Sequence, residues 1–400
     1  MLDLKQNDRI NIELQYITLN EKTMNNVSYE AICFTQLSAE DISNPFLVLQ
    51  EIFGEDVSPE ALQAECWELF AIAFRPNYWM KYKSPLELYK KYKKMVRLLE
   101  AGWLIYNIRP SYMMKGEIAE TFPCEHDTLS YDMLEKLDDV SRAFKMLIRL
   151  YNDNMLIFYR VDLFEILLEG LNAKCQQGES YIGEIVFGRF KEINALIEIL
   201  HTIMLVEKEQ KLTETDICIL NRYEKQALEN QECLIYESNL GHVIDYFKSK
   251  QDLKEILKSC DYLLYKNNYW EWHSNPGKVI YYFQHFLFTL EIYWLYVMRV
   301  NANNRLEDLV WEIPEESAME LNALAKEDIV KPWKYIKDKF TSVPLAKWRS
   351  DLKQWEEAVL SNKEFYFSNS TEFESVKKFL EILIEMADLK EYFPEFEDTD

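Results

Sequence analysis

The chain has 400 residues, of which 48% are hydrophobic and 28% charged, and its formal net charge at pH 7 is −23. This mixture is typical of a globular protein and excludes a disordered chain. Only 9 glycines and 11 prolines occur, which argues against a turn-rich β fold and against glycine-rich phosphate loops. The acidic balance argues against nucleic acid as a partner, because the surface repels phosphates.

The first 36 residues differ from the rest of the chain. Residues 9–19 alternate loosely between apolar and polar positions, which allows a short β-hairpin or an extended arm over residues 1–36. Residues 1–20 lack the basic start and apolar core of a signal peptide. The seven cysteines form no Cys-x-x-Cys pair, as expected for reduced thiols. We therefore expect a cytoplasmic protein.

A first helical unit is predicted over residues 37–110. Apolar residues recur there at steps of three and four, and prolines mark the helix starts. These starts are Pro45, Pro59 and Pro85. Asp41 or Ser43 is expected to cap the first of the three helices. The basic segment 89–97 carries five lysines and arginines, which a solvated helix face would explain.

Long helices are predicted for the central residues 111–302. Residues 128–172 contain one glycine and no proline, which indicates one long helix or two in near succession. Residues 178–211 and 213–229 are predicted as two further helices. The most hydrophobic stretch, residues 279–300, contains Gln284, His285, Thr289 and Glu291, so we expect a buried helix and no membrane span.

The last unit, residues 303–400 including an acidic tail, repeats the pattern of the first. Residues 37–46 (LSAEDISNPF) align with residues 324–333 (LAKEDIVKPW), and Phe53 then aligns with Phe340. Such repeats usually indicate stacked structural modules. The sequence therefore predicts an all-α fold in which two related three-helix units flank a central bundle of long helices.

The leading functional hypothesis is a protein-interaction or scaffold protein without an evident catalytic site, whose partner the sequence does not identify. Two aromatic segments share an Asn-Tyr-Trp tripeptide, and Tyr and Trp are good anchors for a protein partner. The candidate partner-binding residues are Tyr78, Trp79, Tyr269 and Trp270. The alternative is that these side chains pack inside their own protein.

A metal-dependent, di-iron-like oxidoreductase is the competing hypothesis. Glu198 and His201 have the Glu-x-x-His spacing that places both side chains on one face of a helix, as in di-iron bundles. Such a site needs a second pair, which the chain lacks. His285 could supply a second imidazole to a variant set, with carboxylates from Glu165, Glu169 and Glu291.

Other site signatures are absent from the sequence. It contains no P-loop, no dinucleotide-binding glycine motif, no His-Glu-x-x-His and no Gly-x-Ser-x-Gly. We therefore predict no cofactor. A third hypothesis, an acidic mimic of nucleic acid, would require regularly spaced carboxylates, which we do not find.

Overall fold

The protein is described by a computed structural model. Helices account for 92% of the described residues, and no strand occurs among them, which confirms the all-α prediction. Except for its last residue, the predicted hairpin or arm over residues 1–36 lies outside this description. The described residues are 36–54, 57–72, 78–82, 84–108, 140–153, 156–171, 180–206, 212–229, 254, 257–260, 276–295, 297, 331–361 and 370–388.

Three helices of the first unit begin at Pro45, Pro59 and Pro85, as the sequence predicted, and two short helices are additional. They are α1 (Ala39–Ser43), α2 (Pro45–Phe53), α3 (Pro59–Ile72), a 3₁₀ helix (Tyr78–Tyr82) and α4 (Pro85–Ile108). Proline at the first position suits a helix start, because its fixed φ fits the helix and its missing N–H would have no partner there. Ser58 caps α3 as expected, since its hydroxyl accepts a hydrogen bond from the Ala61 amide at 3.3 Å.

The predicted cap of the first helix was wrong. Asp41 and Ser43 lie inside the short helix α1, which is capped by Ser38. The Asp41 amide donates to the Ser38 hydroxyl at 3.1 Å, and the Ser38 amide donates to the Asp41 carboxylate at 2.9 Å. This reciprocal capping box satisfies two amides that would otherwise have no partner in the helix. Asn44 then precedes Pro45 without a side-chain cap.

The central and final helices follow. For residues 128–172 the sequence predicted one long helix or two in near succession, and from residue 140 onwards the structure has two. The helix predicted over residues 178–211 is described as a single helix. The central helices are α5 (Val140–Asp153), α6 (Leu156–Leu171), α7 (Ser180–Val206) and α8 (Glu214–Glu229). The remaining helices are α9 (Gly277–Leu295), α10 (Pro332–Ser342), α11 (Leu345–Leu360) and α12 (Ser370–Asp388). None of the described helices is long and apolar enough to cross a membrane.

Helix α4 is the centre of the first half of the fold. It packs against α1, α2 and α3, against α5 to α8, and against α11 of the last unit. Its buried face includes Tyr89, Tyr92, Met95 and Leu99, as expected for an amphipathic helix with neighbours on several sides. The second half is organised around α9, which contacts α6 and all three helices of the last unit.

Gly102 allows α4 to approach α5 and α7 closely. A Cβ atom at this position would lie 2.7 Å from the Tyr151 hydroxyl and 3.0 Å from a methyl carbon of Leu200. The Tyr151 hydroxyl cannot easily move, because the tyrosine is buried and its hydroxyl donates to the Leu99 carbonyl at 2.7 Å. The absence of a side chain at Gly102 is therefore part of the helix packing.

We expect Gly102→Ala to lower the free energy of unfolding by about 1–2 kcal/mol, because overpacking outweighs the better helix propensity of alanine. Urea unfolding measures this change. In a Tyr151→Phe background, which removes the clashing oxygen but keeps the contact with Leu200, the same substitution should cost clearly less. An equal cost of Gly102→Ala in both backgrounds would contradict this explanation.

Three buried polar contacts join helices that are distant in sequence. Arg160 of α6 lies 3.4 Å from the carboxylate of Glu100 on α4. Arg349 of α11 forms a two-point ion pair with Glu291 of α9. The hydroxyl of Tyr89 donates to Glu356 of α11 at 2.7 Å. Buried charges are stable only when paired, so these contacts specify which helices meet.

The first and last units have the same order of helices. Helices α2, α3 and α4 recur as α10, α11 and α12 at a nearly constant offset, and Pro45 and Pro332 both occupy the first helical position. The aligned aromatic residues Phe46 and Trp333 are both buried. The counterpart of α1 falls outside the described residues. A common origin of the two units stays a prediction, which these correspondences favour.

Candidate interaction surface

The two aromatic segments predicted to bind a partner have different places in the structure. Trp79 lies in the 3₁₀ helix, which packs against α4 and α6, and its side chain is 1% exposed. The indole therefore packs inside the protein in this conformation. Tyr78 begins the same 3₁₀ helix, but its side chain is not among those described. Tyr269 and Trp270 lie outside the described residues.

A different pair of aromatic residues reaches the surface. Trp67 of α3 is 45% exposed and Phe187 of α7 is 51% exposed. Their ring centroids are 6.4 Å apart, and Trp67 also meets the edge of Phe190 at 5.0 Å. Phe190 in turn packs against the buried Phe70 at 5.6 Å, so this aromatic patch is anchored on the core.

The seam between α3 and α7 continues from this patch into a polar region. The Gln63 amide donates to Glu198 at 2.8 Å, and Glu60 lies one turn further towards the start of α3. We define the α3–α7 surface by Glu60, Gln63, Trp67, Phe187, Phe190, Glu198, His201 and Leu205. Its aromatic end holds Trp67 and Phe187, and its acidic end holds Glu60 and Glu198.

His201 belongs to the acidic end of this surface. Its ring lies 5.1 Å from that of Phe53, and it is partly buried. Burial lowers the pKa of the imidazole, an effect that the nearby carboxylates of Glu60 and Glu198 oppose. The ring is therefore neutral at pH 7 and does not balance the charge of the two carboxylates.

The residues considered for a metal site do not come together. Glu198 accepts a hydrogen bond from Gln63, and Glu291 is held in an ion pair by Arg349. His285 packs against Tyr281, with ring centroids 4.2 Å apart. In the part of the chain that the structure describes, no group of three or more His, Cys, Asp or Glu could hold a metal ion.

The two remaining metal candidates, Glu165 and Glu169, lie on α6. Burial raises the pKa of Glu165, and repulsion from Asp162 and Glu169 raises it further. Asp162 pairs with Arg189 of α7 at 2.5 Å. The ion pair between Asp162 and Arg189 therefore joins α6 to α7, and Glu165 lies near it.

The basic segment of α4 is paired with carboxylates, one from α4 itself and the others from other helices. Arg97 contacts Asp41 at 3.2 Å and Glu51 at 2.8 Å. The remaining ion pairs are Lys90–Glu87, Lys91–Glu68, Lys93–Glu357 and Lys94–Glu65. The segment borders a groove of about 520 Å³, which carboxylates also line. These pairs balance its positive charge, which argues against an open anion site.

The sequence singled out Glu198 and His201 only as metal candidates, and it did not indicate Trp67 or Phe187. Trp67 lies between Cys66 and Glu68 on α3, one position away from the buried stripe of Leu62, Cys66 and Leu69. An aromatic residue beside such a stripe, on the polar side of the helix, is a usable signal for an exposed anchor. Phe187 gave no such signal, because both of its neighbours are apolar or small.

Comparisons with known proteins do not identify a relative. No family model matches the chain, and no curated protein and no solved structure matches it.

Proposed function

We propose that the chain is a cytoplasmic protein-interaction or scaffold protein that binds a protein partner through the α3–α7 surface. The observation that carries this proposal is the aromatic patch of Trp67 and Phe187. Trp67 and Phe187 are the two aromatic residues among the exposed large hydrophobic residues of the described part of the chain, and their rings lie beside each other.

The physical argument concerns the cost of exposing these rings to water. Burying the exposed half of a Trp side chain removes roughly 100 Å² of surface from water, worth about 2.5 kcal/mol at about 25 cal/mol per Å². Trp and Tyr are also the residues that most often dominate the binding energy of interfaces. Trp67 packs against Phe190, which packs against the buried Phe70. The aromatic patch is therefore fixed in place, and binding would require little reorganisation of its side chains.

The competing hypothesis, a metal-dependent oxidoreductase, receives no support from the described geometry. A di-iron-like site needs carboxylates from facing helices that converge on the Glu-x-x-His pair. Glu198 instead contacts Gln63 of α3, and Glu291 contacts Arg349 of α11. For the α3–α7 surface we therefore favour recognition of a partner over metal chemistry.

The test is co-purification of tagged protein from its native host, comparing the wild type with Trp67→Ser. We expect recovery of the specific partner to fall by about tenfold or more, since losing a central aromatic anchor typically costs at least 1–2 kcal/mol of binding energy. Quantitative mass spectrometry of the bound proteins measures this change.

Leu47→Ser is the matched control, because Leu47 is 43% exposed on α2. It should leave the recovered proteins unchanged. Equal recovery with the wild type and Trp67→Ser would contradict the proposed function. Elemental analysis of the same samples addresses the competing hypothesis: stoichiometric iron that is lost in His201→Ala would favour the oxidoreductase.

A further inference from the structure

We propose that the α3–α7 surface binds a basic amphipathic helix of the partner protein. The apolar residues of this helix would contact Trp67 and Phe187, and its lysines or arginines would contact Glu60 and Glu198. This inference rests on the proposed interaction function and specifies the chemistry of the partner.

The shape of the surface favours an elongated partner segment. Phe187, Glu198 and Leu205 lie on one face of α7, and the outermost two are separated by about five helical turns, or roughly 27 Å at about 1.5 Å per residue. Leu205 is 50% exposed. The extent of this stripe matches a helix of similar length laid along it, which is a common mode of peptide recognition.

Helix α3 runs antiparallel to α7 beside this stripe. Trp67 contacts Phe190, whereas Gln63, earlier in α3, contacts Glu198, later in α7. The side chains of the two helices therefore follow the same order along the seam: the aromatic residues lie at one end, the carboxylates lie further along, and Leu205 lies beyond Glu198. This polarity would fix the direction in which a partner helix binds.

Charge selects a basic partner at the acidic end. Glu60 is exposed, and neither Glu60 nor Glu198 forms an ion pair with a lysine or arginine in the described part of the chain. The other carboxylates of α3 differ, since Glu65 pairs with Lys94 and Glu68 pairs with Lys91. Two carboxylates that no described lysine or arginine pairs with, next to an apolar patch, complement a helix that carries both apolar and basic residues.

The same charges argue against other occupants. A second copy of this chain would bring a net charge of −23 to the surface. Nucleic acid and anionic lipid would also bring negative charge. A basic protein segment is therefore the occupant that the apolar and acidic ends favour together.

The experiment uses two designed helical peptides of about 18 residues, the number that spans roughly 27 Å. One carries Leu and Lys at helical spacing, and the other carries Leu and Glu. Binding to the full chain is measured by fluorescence anisotropy at about 0.15 M salt, where distant charges are screened. We expect the Leu/Lys peptide to bind at least about tenfold more tightly, and Trp67→Ser to weaken its binding by about tenfold.

Two variants with the same net charge separate a local effect from the acidity of the whole protein. Glu60→Gln/Glu198→Gln removes the carboxylates of the surface while keeping an oxygen that can accept from Gln63. Asp338→Asn/Glu374→Gln removes two exposed carboxylates on α10 and α12. We expect the first variant to weaken binding of the Leu/Lys peptide by about fivefold and the second by less than about twofold.

Equal weakening by the two variants would overturn the inference, because binding would then follow overall charge. The inference would also be overturned if neither peptide binds. In both cases the proposed interaction function stands if Trp67→Ser still loses a partner in the native host. Self-association that depends on Trp67, measured by analytical ultracentrifugation, would instead identify a second copy as the occupant and overturn the basic-helix proposal.

Discussion

Arg349→Met is expected to lower the free energy of unfolding by about 3–5 kcal/mol, the usual cost of breaking a buried ion pair from one side. The substitution removes the guanidinium that pairs with the buried carboxylate of Glu291 between α9 and α11. Glu291 is fully buried, so water cannot replace the guanidinium without opening the interface. This ion pair therefore joins α11 of the last unit to α9.

Urea unfolding of the wild type and three variants tests this expectation. The double variant Glu291→Leu/Arg349→Met removes both charges and should recover most of the lost stability, because an apolar pair of similar volume needs no compensation. Lys90→Met is the control, since it breaks an exposed pair with Glu87 and should change stability by less than about 1 kcal/mol. A double variant as unstable as Arg349→Met would contradict the ion-pair explanation.

His285 is expected to make the fold acid-sensitive. Burial lowers the pKa of this imidazole from 6.5 to about 4, so the folded protein holds it neutral. Below pH 6.5 the unfolded chain binds a proton that the folded protein does not, and the stability of the fold decreases as pH falls from about 6.5 to about 4. The loss is up to about 3 kcal/mol, an upper limit because the ring is partly exposed.

His285→Gln isolates this contribution from the carboxylates, which titrate over the same range. Urea unfolding is measured at intervals from about pH 7 to about pH 4, and the stability of the wild type is compared with that of the variant at each pH. We expect the wild type to lose stability relative to His285→Gln as pH falls. A difference that stays constant with pH would contradict a neutral, buried imidazole.

The sequence by itself determined the helical class and most helix boundaries in the described residues. Scarce glycine, proline at helix starts and apolar spacing of three or four are local properties, and local hydrogen bonding decides where a helix begins. Pro45, Pro59 and Pro85 each begin a helix as predicted. The prediction for Asp41 was wrong because the chain forms an additional short helix before Pro45. Ser38 caps this helix, and Asp41 lies inside it.

The tertiary structure decided which side chains remain at the surface. Trp79 and Trp67 are equally apolar, but α4 and α6 pack around the first, while no described helix covers the second. Likewise, the sequence indicated a solvated charged face for the basic segment of α4. In the structure its side chains form ion pairs with Asp41, Glu51 and Glu357 of other helices. Periodicity identifies the faces of a helix, but exposure and charge pairing depend on neighbours that are distant in sequence.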